Sequence, residues 1–326
     1  HWLLGRILST DAMGLLAQQE TIDPIGLLLI VAALGCLLAY LLVDEFTQNE
    51  RGRHRAKLAI IFLIILLTVF LPSLKLVLLR QASGPASYCH DGGVIQTEAT
   101  IDYLLAGRNP YIEDYVNTPM AEWGINEFRT ALYHYPYLPW TFLFSAPFKL
   151  ASEALLGWYD QRFVYLLVFV VALLLATRLV PANRSRDRLG LLMLLGLNPL
   201  MGLDLIFGQN DLFVWAWIVL ALWLLARSTL HSPPSTLHSP LSTLLASAAF
   251  GLACASKPTA WFLAPFFALL LVWDQLNSWR DIPRALPAMF KRGWPALAVF
   301  ALLVGPYLLW NAVSYTHLTL PTLYSG

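Results

Sequence analysis

The chain has 326 residues, 58% of them hydrophobic and 13% charged, with a formal net charge of +1 at pH 7. With a mean hydropathy of +0.61, this composition excludes a water-soluble domain of such size and points to an all-α polytopic membrane protein. The near-neutral charge leaves no footprint for a nucleic-acid partner, and the three scattered cysteines, Cys36, Cys89 and Cys254, imply no disulfide framework.

In chain order, residues 1–24 are mixed and interfacial in character, ending at Asp23-Pro24. A first span is expected from about Ile25 to Val43. The linker DEFTQNERGRHRAK follows, and its Arg51, Arg53, Arg55 and Lys57 place it in the cytoplasm, because Lys and Arg accumulate on that side of spans. A second span, about Leu58 to Leu79, contains Pro72, expected to kink it, and Lys75, able to snorkel outward. The stretch Tyr88–Trp140 is then extracytoplasmic, and it is the longest soluble-looking part of the chain. Its acidic residues Asp91, Glu98, Asp102, Glu113, Asp114, Glu122 and Glu127 face only Arg108 and Arg129 as fixed positive charges. Gly92-Gly93 loosens the backbone beside Asp91, Gly107 is where a helix would stop, and Asn109-Pro110-Tyr111 forces a turn.

Further spans are expected near 161–180, 189–207, 211–227, 244–257, 259–273 and 294–312, about eight in all. They put two basic loops inside: Asn183–Arg188, and Asp274–Gly293 with Arg280, Arg284, Lys291 and Arg292. The apolar piece Leu138–Trp158, with Pro139, Pro147, Lys149 and Glu153, is then expected to be re-entrant or interfacial. The alternative is a full crossing with one basic loop on the wrong side. The repeat STLHSPP-STLHSPL-STL makes 228–243 a low-complexity linker, and its His231 and His238 read as a duplicated connector before they read as metal ligands. Val313–Thr322 looks like a translated sequencing adapter, so 313–326 is expected to be a non-native tail, with the natural chain continuing past Ala312. The rest, 1–312, reads as a single transmembrane domain with a large first outer loop over 80–137.

This topology collects four separated polar features on one face of the membrane: the Asp91 loop, Tyr133–Pro139, Phe207–Asp211 and Ser256-Lys257-Pro258. Lys257 reads either as an anion contact, a phosphate above all, or as a lysine that snorkels or pairs with Asp204 or Asp211. Asp91 reads either as a general base for an acceptor hydroxyl or as the N-cap of a helix over Gly92–Ala106. Cys89-His90-Asp91 is no nucleophile triad, since adjacent residues point apart, and His90-Asp91 is a weak metal pair. His134, between two tyrosines, reads as structural. No spacing demands a metal or a cofactor.

Asp91, followed sixteen positions later by Gly107-Arg-Asn-Pro-Tyr111, resembles the first extracytoplasmic loop of GT-C glycosyltransferases. More narrowly it is similar to the polytopic mannosyltransferases of glycosyltransferase family 87. Tyr135-Pro136-Tyr137-Leu138-Pro139 resembles their Tyr-Pro-Pro-Leu segment, with Tyr137 in place of the second proline. Gly208-Gln209-Asn210-Asp211 and Lys257-Pro258 resemble later motifs of that family in the same order, so the resemblance covers about residues 60–275. It implies a GT-C fold and inverting transfer of mannose or another sugar from a polyprenyl-phosphate donor. The acceptor would be a glycan, glycolipid or protein outside the cytoplasm, and the enzyme would sit in a bacterial inner membrane and serve the cell envelope. By the same resemblance Asp91 is the catalytic base. Lys257, with Arg108 or Arg129, binds the donor phosphate, while Tyr135, Tyr137, Gln209, Asn210 and Asp211 bind the sugar or acceptor. The competing reading is a transporter or lipid flippase, with Asp204, Asp211 and Lys257 in the membrane and a broken helix at Asn198-Pro199. A non-catalytic scaffold subunit is a third.

Overall fold

The computed structural model describes residues 23–123, 129–181, 183–230 and 240–310. The interfacial start, Glu127, the His231/His238 repeat and the 313–326 tail lie outside the described residues. Among the described residues the chain is helical, with no strand.

Helix α1 (Pro24–Phe46) starts on Asp23, whose side chain accepts the Gly26 N–H at 3.0 Å, with Pro24 in the first helical position, where its missing N–H costs nothing. Of its residues only Ala33 is buried, so its leucines face outward on nearly every side and require an apolar surround. Helix α2 runs for 34 residues, Glu50–Ser83. Pro72 cannot donate to the turn before it, and the helix widens into a π turn at Leu66–Phe70 to admit the ring. Lys75 does not snorkel: it is 8% exposed and paired with Asp23 at 2.5 Å, at the joint where α1 and α2 run side by side.

The outer stretch carries a π turn over Asp91–Gln96 that continues as α3 (Thr97–Leu105). α3 ends as its glycine demands. Gly107 sits at φ +72°, its N–H reaches the Leu104 carbonyl, and the Arg108 N–H reaches Tyr103, which closes a Schellman motif. Helix α4 (Trp140–Leu156) is the segment expected to be re-entrant or interfacial, and it is not among the helices long and apolar enough to cross a membrane. Its buried Lys149 binds Asp102 and the Glu98 carbonyl, so α4 packs on α3 through a charged contact.

The remaining helices are α5 (Arg162–Thr177), α6 (Ser185–Gly196), α7 (Pro199–Phe207), α8 (Asp211–Leu230), α9 (Pro240–Cys254), α10 (Ala264–Leu271) and α11 (Ile282–Trp310). Among the described residues, three helical runs are long and apolar enough to cross a membrane: α1, α2 and Trp279–Trp310. The pair α6–α7, bent by 47°, makes a fourth. This is short of the expected count of about eight. Three further apolar helical runs, Arg162–Thr177, Leu241–Cys254 and Pro258–Leu271, are shorter; Arg162–Thr177 has 16 residues, about 24 Å of helix against a core of about 30 Å. The breaks fall at prolines preceded by polar residues: Asn198-Pro199, where Asn198 caps α7, and Lys257-Pro258, where a 3-10 run to Leu263 leads into α10.

The two ends of the bundle differ. At one, Asp44 pairs with Lys57 at 2.5 Å and with Arg53 at 3.7 Å, and Arg186 lies within its electrostatic reach, so the first two basic linkers share that end. At the other, four polar segments meet. α5, α8, α9 and α11 pack in sequence, and α9 touches α11 so closely that a Cβ on Gly251 would lie 2.6 Å from the Ala296 carbonyl oxygen.

Candidate functional site

Three hydrogen bonds tie down the backbone leading into Asp91. The Tyr88 carbonyl accepts from Arg162 at 2.9 Å, the Cys89 carbonyl accepts from Trp123 Nε1 at 2.9 Å, and the His90 N–H donates to the Phe207 carbonyl at 2.7 Å. The helical turn begins at Asp91 itself, and the cap is His90, whose Nδ1 lies 3.3 Å from the Gly93 N–H. Asp91 is therefore not the N-cap. The same His90 nitrogen lies 2.9 Å from Asp91 Oδ1, so it serves the carboxylate when protonated and the cap when not. Partial burial works to raise the Asp91 pKa, but the His90 hydrogen bond and the Gly92 N–H outweigh it and hold the carboxyl below its usual 3.8. Single π turns of this kind recur at functional sites.

The glycines after Asp91 exist for close approach. A Cβ on Gly92 would lie 2.8 Å from the Tyr137 hydroxyl, and one on Gly93 would overlap the Gly208 carbonyl. Gly208 ends α7 at φ +85°, and a Cβ there would overlap Val94 and come within 2.9 Å of the Arg162 side chain. Two glycine backbones thus interlock and bring the Asp91 turn against the loop Gly208–Asp211.

Lys257 completes the site from the break between α9 and the 3-10 run. Its Nζ donates to Asp211 Oδ1 at 2.7 Å and Asn210 Oδ1 at 3.1 Å, and it lies 5.4 Å from the centre of the Tyr137 ring. The lysine thus pairs with Asp211, as one of its two readings expected, and it does so inside the polar cluster. Asn210 is 1% exposed, and among the described residues its amide nitrogen has no hydrogen-bond partner. Burial, and then the nearby carboxylates of Asp91 and Asp211, push the Tyr137 hydroxyl pKa up, so it stays a hydrogen-bond donor between them. Asp204 lies within electrostatic reach of Asp211, Lys257 and His90. The segment Tyr133–Pro139 is held by backbone bonds from Leu138 and Trp140 to Ser256 and Ala255, and by the Tyr111 hydroxyl on the Tyr137 carbonyl at 2.9 Å.

The other expected residues fall elsewhere. Tyr135 is fully buried, its hydroxyl 3.1 Å from Thr97 and its ring enclosed by Tyr111, Tyr137 and Phe142, so it has no face to offer a sugar and is a packing residue. Arg108 pairs with Glu113 at 3.1 Å and lies over the Tyr103 ring, apart from the Lys257 cluster. Arg129 opens the 3-10 turn Arg129–Leu132, and its side chain lies outside the described residues. Gln209 belongs to the loop through its backbone, donating its N–H to the Asp204 carbonyl at 2.7 Å.

Sequence reasoning passed over a buried ionic quartet beneath the site. Arg80 binds both oxygens of Glu98 at 2.9 and 2.7 Å and Asp160 at 2.9 Å, while Arg162 grips both oxygens of Asp160 at 2.8 and 2.7 Å. The signal was present: two arginines and two carboxylates inside or beside apolar runs, where unpaired charge is costly.

The structure thus defines an all-helical membrane protein in which the Asp91 turn and the Tyr137, Asn210, Asp211 and Lys257 cluster share one end. Among known families, the chain belongs to that of the alpha-(1→6)-mannopyranosyltransferases, MptA_B, whose N-terminal domain model matches residues 103–273. The protein is thus a glycosyltransferase of a mannosyltransferase family, similar to family 87, and the transporter reading finds no support. The match contains Tyr137, Asn210, Asp211 and Lys257, and Asp91 precedes it. No curated protein and no solved structure matches the chain.

Proposed function

We propose that the protein transfers a mannosyl group, with inversion, from a polyprenyl-phosphate donor to an acceptor hydroxyl on the extracytoplasmic side of a bacterial inner membrane. The observation that carries this reading is the convergence of Asp91, Tyr137, Asn210, Asp211 and Lys257, from four separate segments, at the end of the bundle opposite Lys57 and Arg186. In the reaction the acceptor oxygen attacks the anomeric carbon and its proton passes to the Asp91 carboxylate. The bond from that carbon to the phosphate oxygen breaks, and the phosphate leaves with the electron pair. Lys257 then exchanges part of its contact with Asp211 for the phosphate, whose charge grows in the transition state. The Asn210 amide N–H, without a partner among the described residues, is offered to a sugar hydroxyl. Tyr137 supplies a ring edge and a protonated hydroxyl beside the same space.

In this reading the shorter apolar helices cross the membrane together with the longer ones, and α4 stays at the surface as the floor of the site. The acceptor is a glycan, a glycolipid or a protein. The test is sugar transfer in proteoliposomes from polyprenyl-phosphate mannose, with wild type and Asp91→Asn. Transfer that falls at least about a hundredfold in the variant, while the fold is kept, supports the base assignment. Equal transfer by both removes Asp91 from the mechanism.

A further inference from the structure

We propose that Arg162 is a positioning residue for this site: it holds Tyr88 in a left-handed backbone conformation and thereby fixes Asp91 against the Gly208–Asp211 loop. Among the described residues, Tyr88 is the one non-glycine residue at positive φ, +57°, a conformation unfavourable for any side chain with a Cβ. Such a residue persists only where its surroundings over-determine it, and strain of this kind gathers at functional sites. Of the bonds that hold this stretch, the one that takes the Tyr88 carbonyl itself comes from a guanidinium, that of Arg162.

Arg162 is completely buried. Its Nε and Nη2 bind the two oxygens of Asp160, which fixes the plane of the fork. Its remaining nitrogen, Nη1, donates to the Tyr88 carbonyl at 2.9 Å and to the Ile206 carbonyl at 3.2 Å. Tyr88 lies just before His90-Asp91, and Ile206 lies just before Gly208–Asp211. One nitrogen therefore joins the two strands of chain that bear the proposed base and the partners of the proposed phosphate lysine. The stem of Arg162 passes against Gly208, where a Cβ would lie 2.9 Å from its Cγ, so the glycine is what lets the arginine through.

Asp160 is in turn held by Arg80, which also takes Glu98, and Glu98 accepts the Gln161 N–H at 2.8 Å. The quartet is charge-balanced, so Arg162 is anchored without an unpaired buried charge. Lysine has one ammonium in place of the planar fork and cannot grip both carboxylate oxygens while also reaching two carbonyls.

The consequence for catalysis rests on Asp91 being the base. The experiment compares transfer by wild type, Arg162→Lys, Arg162→Lys/Tyr88→Gly and Tyr88→Val in proteoliposomes, with Asp91→Asn run beside them and folding followed by thermal unfolding. Arg162→Lys should lower kcat on the order of a hundredfold, because a reacting group is displaced, and KM for the donor should rise as the Gly208–Asp211 loop loses the same tie. Adding Tyr88→Gly should restore about tenfold, since glycine enters the left-handed region without the cost that the lost clamp had offset. Tyr88→Val, which leaves the buried charges alone, should lower kcat at least about tenfold, because a β-branched residue resists that conformation more than tyrosine does.

A wild-type kcat in Arg162→Lys overturns the proposal. So does a loss that Tyr88→Gly fails to relieve in folded protein, which would make Arg162 a stability residue only. If Arg162→Lys does not fold, Tyr88→Val decides, and an unchanged kcat there rejects the clamp. Full activity of Asp91→Asn would sink the base assignment instead, and leaves the Arg162 and Tyr88 series to be judged by its own rates.

Discussion

Asp91 and Lys257 are both charged side chains in an apolar protein, yet they make different demands on an experiment. The Asp91 carboxyl is held below 3.8, so its charged form is favoured in the folded state. That contribution to stability is present above 3.8 and is lost as pH falls through the depressed value. In the proposed reaction Asp91 is therefore ionised throughout the neutral range, and the acid limb of kcat/KM that belongs to it should fall below pH 3.8. A limb near neutrality that disappears in Asp91→Asn would contradict this. Lys257 and Asp211 form a pair 20% and 49% exposed, and such pairs stabilise a fold by only about 0–1 kcal/mol. Lys257→Met should accordingly leave the thermal midpoint nearly unchanged while lowering kcat by roughly 10²–10³, the cost of losing one preorganised group at a developing charge. Loss of stability with full activity would return Lys257 to a structural pairing role. Tyr135 is the opposite case: buried on every side, its change to alanine should cost about 3–5 kcal/mol in unfolding free energy.

At the scale of elements, the site depends on two backbone turns that only glycine can bring together. Gly93 meets the Gly208 carbonyl, which belongs to the peptide chain and cannot rotate away as a side chain could. Gly93→Ala and Gly208→Ala should each destabilise by about 1–3 kcal/mol or more and should displace the Asp91 turn, so activity should fall further than stability. Gly107→Ala is milder, about 1–2 kcal/mol for the left-handed residue that ends α3, because a Cβ there meets open space. Measuring transfer beside thermal unfolding separates the two: an active, merely less stable Gly93→Ala would show that the two loops need not interlock. The end of α3 was legible because Gly acts through its own backbone preference, whereas the expected span 189–207 ran straight through Asn198-Pro199, where the helix in fact breaks. The start of the Asp91 helix was misplaced by one residue. Aspartate is the better capping residue on local preference, but the His90 N–H, drawn to the Phe207 carbonyl on a distant helix, fixes His90 outside the turn.

Across the whole molecule, the Arg80–Glu98–Asp160–Arg162 quartet joins the end of α2, the start of α3 and the start of α5. Burying these charges is costly unless each finds its partners, and removing one partner strands the others. Arg80→Met should therefore cost about 3–5 kcal/mol, measured by thermal unfolding in detergent micelles. A shift no larger than that of a surface substitution would show that water or lipid headgroups already screen the quartet.

Composition and hydropathy alone established an all-helical membrane protein, because spanning helices must satisfy their own backbone and announce themselves as apolar runs. Polar residues at the ends of such runs stand out against them, which singled out Asp91, Tyr137, Asn210-Asp211 and Lys257 as candidates, and the family resemblance proposed their roles. Hydropathy did not show where apolar runs break, nor that Tyr135 faces inward while Tyr137 faces the lysine two positions on. It was equally silent on Arg162, which reads in sequence as an ordinary charge at a helix start. Those features rest on hydrogen bonds and close approaches between residues far apart in the chain, such as Arg162 and Ile206, 44 positions apart, and Thr141 and Ser256, 115 apart. Pairings of that range are set by which surfaces fit when the helices pack, and no local preference of the chain encodes them.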